Sequence, residues 1–98
     1  MERDQAIKFM LDLLRLMTQK NGSDLFITVG FPPAIKIDGK MTPVSKQALT
    51  PENAKALTYC IMNDRQLKEF ERHGYVRRER GRIEIVDAPA LREIAAKT

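Results

Sequence analysis

The chain has 98 residues, of which 43% are hydrophobic and 31% are charged, and its formal net charge is +4. These values indicate one water-soluble globular domain over residues 1–98, and a transmembrane helix is excluded because no apolar run approaches the roughly 20 residues that it needs. Cys60 is the only cysteine, so an internal disulfide is excluded and a reducing, cytoplasmic location is expected.

The first predicted element is an amphipathic helix over residues 4–20. Its apolar side chains recur every three or four residues, which places them on one broad helix face. They are Ile7, Met10, Leu11, Leu14 and Met17, with Phe9, Leu13 and Leu16 beside them. Lys20, Asn21 and Gly22 follow with a basic last turn and a tolerance for left-handed backbone, so we expect the helix to end there.

Three short strands are predicted next. Residues 25–29 form a β-rich run that Gly30-Phe31-Pro32-Pro33 interrupts, because two prolines remove two backbone donors. Residues 34–38 alternate apolar and polar side chains with the period of two of a half-buried strand. Asp38-Gly39 predicts a type I′ hairpin turn. Residues 40–44 then return as a short strand whose proline confines it to a sheet edge or a strand end.

Two capped helices follow. Thr50-Pro51-Glu52 is typical of a helix start, with a side-chain cap, an early proline and an early acid. The inner face of that helix would be Ala54, Leu57 and Ile61. Asn63 and Gln66 occupy the two positions of a capping box, which predicts a second helix near residues 64–72 that Gly74 ends.

A basic hairpin and a short helix complete the predicted elements. Residues 75–78 and 82–86 are strand-like runs around Glu79-Arg80-Gly81, and we expect this hairpin to pair with the strands of residues 25–44. A final helix would start after Asp87. Its inward side chains would be Leu91, Ile94 and Ala95.

The predicted fold class is therefore α+β, an antiparallel sheet of about five strands with flanking helices in the order α-β-β-β-α-α-β-β-α.

The basic excess of the chain is confined to residues 72–82. Five arginines and one acid, Glu79, occur there, so this segment has a net charge of +4 and the rest of the chain sums to zero. Guanidinium groups bind phosphate oxygens bidentately, which would suit nucleic acid. Charged hairpin side chains can equally keep a sheet edge solvated. The sequence leaves both interpretations open.

No catalytic constellation is evident. Histidine, cysteine and carboxylates do not occur together at metal-ligand spacing, and no G-x-x-x-x-G-K-[ST] phosphate loop is present. His73, at a helix end, and Cys60, within a helical pattern, are expected to be structural. We therefore expect no enzymatic activity, no catalytic residue, no cofactor and no metal.

The run GSDLFITVGFPPAIKIDGKMTPV, followed by LTPENAKALTYCIMNDRQLKEF, resembles the N-terminal domain of type IV pilus retraction (twitching-motility) ATPases. The resemblance covers roughly residues 5–70 and rests on Ser23-Asp24-Leu25, Pro32-Pro33, Asp38-Gly39 and residues 61–64. It implies a PAS-like domain that packs against the motor domain of the neighbouring subunit in a hexameric ring. Because the phosphate loop is missing, it implies a docking surface and not an ATPase activity.

The stretch RQLKEFERHGYVRRERGRIEIVDAPALREIA resembles the recognition helix and wing of Crp/Fnr-type winged-helix regulators. The matching residues are Leu67, Lys68, Phe70, Glu71, Gly74 and 82–87. This resemblance implies that Arg65 and Lys68 face the DNA groove and that Arg80 and Arg82 lie at the wing tip. The glycine of the helix-turn-helix turn and the effector-binding barrel of that family are absent.

Residues 1–63 and 64–98 thus resemble two families that share the helix near 64–72, as an engineered or fused hybrid would. We predict a non-catalytic fold or protein-interaction module without an evolved activity, with a protein partner or a second copy on the pilus-like surface. The alternative is a weak, salt-sensitive DNA-binding module built from helix 64–72 and hairpin 75–86. Its candidate nucleic-acid contacts are Arg65, Lys68, Arg77, Arg78, Arg80 and Arg82.

Overall fold

Within the described residues, three helices and five strands follow one another in the predicted order. The computed structural model describes residues 2–60 and 62–87, together with Pro89 and Glu93. The elements are α1 (Arg3–Gln19), β1 (Asp24–Thr28), β2 (Ala34–Ile37), β3 (Lys40–Pro43), α2 (Pro51–Tyr59), α3 (Asp64–Arg72), β4 (Val76–Glu79) and β5 (Arg82–Val86). The α+β class with a five-stranded antiparallel sheet is confirmed.

Two sets of predicted inward side chains cannot be compared with the structure. The inner-face residue Ile61 and the inward side chains of the final helix, Leu91, Ile94 and Ala95, lie outside the described residues. None of the helices that the structure describes combines the length and the hydropathy needed to cross a membrane.

Local caps satisfy the backbone groups at both ends of α1. The Glu2 N–H donates to Gln5 Oε1 at 3.1 Å and completes a reciprocal capping box. At the other end Asn21 adopts a left-handed backbone with φ of 56°, and the Gly22 N–H donates to the Met17 carbonyl at 2.7 Å. Gly22 is required for space, because a Cβ at this position would overlap Cγ2 of Ile35.

The caps predicted for α2 and α3 are confirmed. Thr50 Oγ1 accepts a hydrogen bond from the Asn53 N–H at 3.1 Å. The Gln66 N–H donates to Asn63 Oδ1 at 2.8 Å, and the Asn63 N–H donates to Gln66 Oε1 at 3.0 Å. These bonds satisfy backbone donors that a helix start otherwise leaves unpaired.

The five strands form one antiparallel sheet in the order β3-β2-β1-β5-β4. β5 pairs with β1 along its whole length, from Asp24 opposite Val86 to Thr28 opposite Arg82. The basic hairpin β4–β5 therefore supplies one side of the sheet, as predicted, and does not stand apart as a wing.

Side-chain alternation divides this sheet into two faces. On one face Leu25, Ile27, Ile35 and Ile85 pack with side chains of all three helices in a single core cluster. The opposite face, which we call the open face, carries strand residues 24, 26, 28, 34, 36, 41, 43, 77, 79, 82, 84 and 86. None of these residues belongs to the core cluster.

Both edges of the described sheet are protected against further strand pairing. The two-residue turn of the β2–β3 hairpin sets a register in which Met41 and Pro43 direct their backbone groups outward. Pro43 has no N–H, so Met41 is the one outward donor of β3. At the other edge β4 carries the exposed, charged residues Arg77, Arg78 and Glu79. Strand addition is therefore disfavoured at either edge.

Replacing Ile85 by Asp is expected to unfold the domain. Ile85 is fully buried between Leu25 and Val76, so an unpaired carboxylate there costs several kcal/mol, on the order of the whole stability. Thr42→Asp, at an exposed position on β3, is the control and should change the unfolding free energy by about 0.5 kcal/mol or less. Circular dichroism during urea and thermal unfolding measures both. A cooperative Ile85→Asp transition at wild-type stability would contradict this core.

Candidate functional site

The six predicted nucleic-acid contacts are spread over α3, the β4–β5 turn and both faces of the hairpin. Arg65 and Lys68 are exposed on α3, and Arg80 is exposed in the turn. The remaining three are on strands, where the period of two places Arg78 on the helix side and Arg77 and Arg82 on the open face. The structure therefore does not bring the six side chains together into one patch.

Acidic neighbours pair with several of these arginines. Arg78 Nη2 lies 2.7 Å from Glu71 Oε1, and Arg78 Nη1 donates to the Tyr59 hydroxyl at 3.2 Å. The hydrogen bond to Glu71 raises the pKa of Arg78 above its ordinary value. Glu84 is shared, since its carboxylate lies 4.0 Å from Arg77 Nη1 and 3.6 Å from Arg82 Nη2.

The local charge of residues 72–82 is thus largely balanced by pairing. Arg72 also pairs with an acid, Glu69. Arg80 has no ion pair with any described residue, and the same holds for Arg65 and Lys68 on α3.

The open face carries an apolar groove of about 250 Å³, which we call the open-face groove. Its lining consists of Phe26, Thr28, Phe31, Pro32, Ala34, Met41, Pro43 and Arg82. Phe26 and Ala34 are buried but lie outside the core cluster, so they belong to this groove and not to the interior. Phe31 is 64% exposed and Met41 is 52% exposed, and Tyr59 is the one other large hydrophobic side chain exposed in the described part of the chain.

Backbone hydrogen bonds hold the loop that carries Phe31. The Gly30 N–H donates to the Leu49 carbonyl at 2.8 Å, and the Leu49 N–H donates to the Phe31 carbonyl at 3.0 Å. Val29 and Leu49 form a short parallel bridge there. Because the Leu49 side chain is buried in the core cluster, the core positions the backbone beneath the exposed Phe31.

Arg82 is the only charged residue in the groove lining. Its guanidinium carbon lies 4.8 Å from the centroid of the Phe26 ring, a cation–π geometry. Its Nε is buried and has no hydrogen-bond partner among the described residues. Glu84 Oε2 is 3.6 Å from Nη2 and Glu79 Oε2 is 4.0 Å from Nε. Both distances exceed hydrogen-bond length, so these acids leave donors of the guanidinium available.

Cys60 and His73, the two other side chains with reactive groups, contact neighbouring residues in ways that serve the fold. Cys60 is half-buried, its Sγ donates to the Leu57 carbonyl at 3.1 Å, and burial raises the pKa of the thiol, which disfavours the nucleophilic thiolate. His73 Nε2 lies 3.6 Å from Glu69 Oε1, and the ring stacks on Tyr75. Across the described ranges, no group of three or more His, Cys, Asp or Glu residues could hold a metal ion.

The open-face groove was not predicted from the sequence. One signal was available in β1, where Phe26 alternates with Leu25 and Ile27 and makes the strand apolar on both faces, which is typical of a strand covered on both sides. Phe31 comes from a loop and Met41 from an edge strand. No periodicity links those two residues, because only the packed β1–β2–β3 meander brings them together.

The chain is similar in sequence to two type IV pilus ATPases of Pseudomonas aeruginosa. It is 48% identical to Type IV pilus ATPase PilU over 58 residues, which is 59% of this chain and 15% of PilU. It is 38% identical to Type IV pilus retractation ATPase PilT over 60 residues, which is 61% of this chain and 17% of PilT. The chain thus spans less than a fifth of the length of these curated relatives. No protein-family model matches the sequence.

The fold is similar to that of the pilus retraction motor PilT in its structure with bound ADP. The TM-score is 0.58 at 25% sequence identity, and the match covers 82% of this chain and 29% of that chain. Since 82% is more than residues 1–63 can supply, the match reaches into residues 64–98. Together these findings support the resemblance to the N-terminal region of type IV pilus ATPases; they lend no support to the winged-helix resemblance or to a chimera.

Phe26 and Phe31 are expected to differ sharply in their contribution to stability. Phe26 is 7% exposed and Phe31 is 64% exposed. Phe26→Ala should lower the unfolding free energy by about 3 kcal/mol, as is usual for a buried phenylalanine, whereas Phe31→Ala should change it by about 0.5 kcal/mol or less. Urea unfolding of both variants provides the comparison. Equal losses would show that Phe31 serves the fold and is not available to a partner.

Proposed function

We propose that this chain is a non-catalytic docking module of the kind found in the N-terminal region of type IV pilus ATPases. The single observation that carries this proposal is the open-face groove. Phe31 and Met41 expose apolar surface side by side there, on a sheet whose other face is filled by the core. Large apolar side chains that are exposed together are typical of protein-binding surfaces.

The partner in this proposal is the motor domain of a pilus ATPase subunit. The resemblance suggests it, because the N-terminal domain in that family packs against the motor domain of the neighbouring subunit. The sequence contains no phosphate loop, so the proposal assigns binding to this chain and leaves hydrolysis to its partner. We place the module in the cytoplasm, where the free Cys60 would stay reduced.

The engineered or fused origin stays a prediction from the sequence. In that interpretation α3 and the β4–β5 hairpin derive from a winged-helix regulator. The docking proposal requires only that the hairpin completes the sheet, whatever its origin. The two ideas are independent, because the groove is built mainly from residues 26–43.

DNA binding is a second candidate, favoured by the exposed basic side chains that have no acidic partner among the described residues. Among the six predicted contacts these are Arg65, Lys68 and Arg80. Phosphate contacts are made by such cations. The pairing of Arg77, Arg78 and Arg82 with carboxylates lowers the positive potential of the hairpin, so we rank this function below docking.

The docking proposal can be tested by grafting this chain onto PilU and measuring the assembly of the hybrid. A PilU variant whose matched N-terminal region is replaced by this chain is expected to assemble to the same mass as intact PilU in light scattering. The Phe31→Ala/Met41→Ala double change should raise the protein concentration needed for half-maximal assembly at least tenfold, because it removes both exposed apolar side chains.

The matched control in the same graft is Tyr59→Ala, which removes the third exposed hydrophobic side chain from the helix side of the sheet. This variant should assemble normally. If the double variant assembles as well as the Tyr59→Ala graft, the open-face groove is not a docking surface.

DNA binding can be measured by fluorescence anisotropy of a labelled duplex at a series of salt concentrations. If the unpaired cations bind phosphate, removing Arg65, Lys68 and Arg80 together should reduce the slope of log K against log salt by about one per cation removed. Lys46→Ala, an exposed loop cation, is the control and should leave the slope unchanged. No binding at low salt would end this second candidate.

A further inference from the structure

We infer that the open-face groove binds a partner segment in which an apolar side chain is followed directly by an acidic residue, and that Arg82 binds the acidic carboxylate. This inference rests on the proposed docking function and specifies the chemistry of the segment that docks. It joins two observations: an apolar groove of limited size, and a guanidinium in its wall whose donors lack hydrogen-bond acceptors.

The size of the groove favours one side chain as its occupant. Its volume is about 250 Å³, which is below the range of about 300–1,000 Å³ that is typical of drug-sized ligand pockets. Phe26 and Ala34 are buried within it, and Phe31 and Met41 stand exposed beside them. A single large apolar side chain of a partner would therefore be surrounded by carbon on most sides.

Arg82 adds a charge requirement to this apolar site. It is the only charged residue of the lining, and its buried Nε donates no hydrogen bond to any described residue. The cation–π contact with the Phe26 ring places the guanidinium at the groove. The Arg82 side chain as a whole is 40% exposed, so its terminal Nη groups can be reached from outside, and a carboxylate is the acceptor that matches them. Glu84, at 3.6 Å from Nη2, is too far for a hydrogen bond and leaves these donors to the carboxylate of a partner. A partner that supplies one gains both charge pairing and hydrogen bonds.

A second copy of this chain does not offer such a segment in its described part. The exposed large hydrophobic side chains are Phe31, Met41 and Tyr59. Their sequence neighbours are glycine and proline, lysine and threonine, and threonine and cysteine. None is acidic, so the described part of a second copy does not supply this segment, and we assign it to another protein.

The test uses two peptides that differ in one group, each acetylated and amidated so that no terminal charge is present. One contains leucine followed by aspartate between alanines, and the other contains leucine followed by asparagine. Titration into the ¹⁵N-labelled full chain is expected to shift the amide signals of residues 26–31, 34 and 41. The aspartate peptide should bind at least fivefold more tightly at low salt.

Variants of the two open-face arginines assign this difference to one side chain. Arg82→Gln should make the two peptides bind equally, and Arg82→Lys should keep part of the preference because it keeps the charge. Arg77→Gln is the matched control, since Arg77 is on the same face and beside the same Glu84 but outside the groove lining. It should preserve the fivefold preference. Thermal unfolding of each variant confirms that it is folded.

Equal binding of the two peptides to the wild-type chain would overturn the inference, as would an aspartate preference that survives Arg82→Gln. Neither result would contradict the docking function, because that function is tested separately by the Phe31→Ala/Met41→Ala graft. Failure of that graft with a preserved aspartate preference would reject the motor domain as partner but keep the groove chemistry. Concentration-dependent dimerisation that shifts the same amide signals would instead identify a second copy as the occupant and overturn the inference.

Discussion

Backbone hydrogen bonds between β1 and β5 join opposite ends of the sequence across five residue pairs, from Asp24 with Val86 to Thr28 with Arg82. This pairing makes the basic hairpin part of the sheet, and it places Ile85 beside Leu25 in the core. It also brings Arg82 to the Phe26 ring. The core cluster, the distribution of charge and the open-face groove all depend on this one register, because a shift of one residue would exchange the two faces of β5.

The same register determines what the arginine-rich segment does. In sequence, residues 72–82 read as a concentrated positive charge. In the fold, alternation sends Arg78 to Glu71 and Tyr59 on one side of the sheet, and Arg77 and Arg82 to Glu84 on the other. Charges that are neighbours along a strand are thus separated by the thickness of the sheet. Of the six predicted contacts, those without an ion pair to a described residue are Arg80 in the turn and Arg65 and Lys68 on α3.

The open-face groove lies on the side of the sheet that the helices leave uncovered, and it is the surface that we propose for docking. Strand addition is disfavoured at both edges, since Pro43 leaves β3 with one outward N–H and β4 carries exposed charged side chains. The open face is therefore the surface that we propose for a partner. There an apolar floor and a single guanidinium combine affinity with a charge preference, which is a common way for a small interface to gain specificity.

Local patterns in the sequence determined the helices, the strands, the capping box at Asn63 and the turn at Asp38-Gly39, because each depends on residues within a few positions of one another. They also indicated that the hairpin would join the first strands, since Ile83 and Ile85 needed a core. The tertiary structure alone decided the rest. Phe26, Phe31, Met41 and Arg82 come from two central strands, an edge strand and a loop, and their meeting in one groove depends on strand order and register. Ion pairs such as Arg78 with Glu71 likewise join different elements, and no periodicity within one segment encodes a contact between two of them.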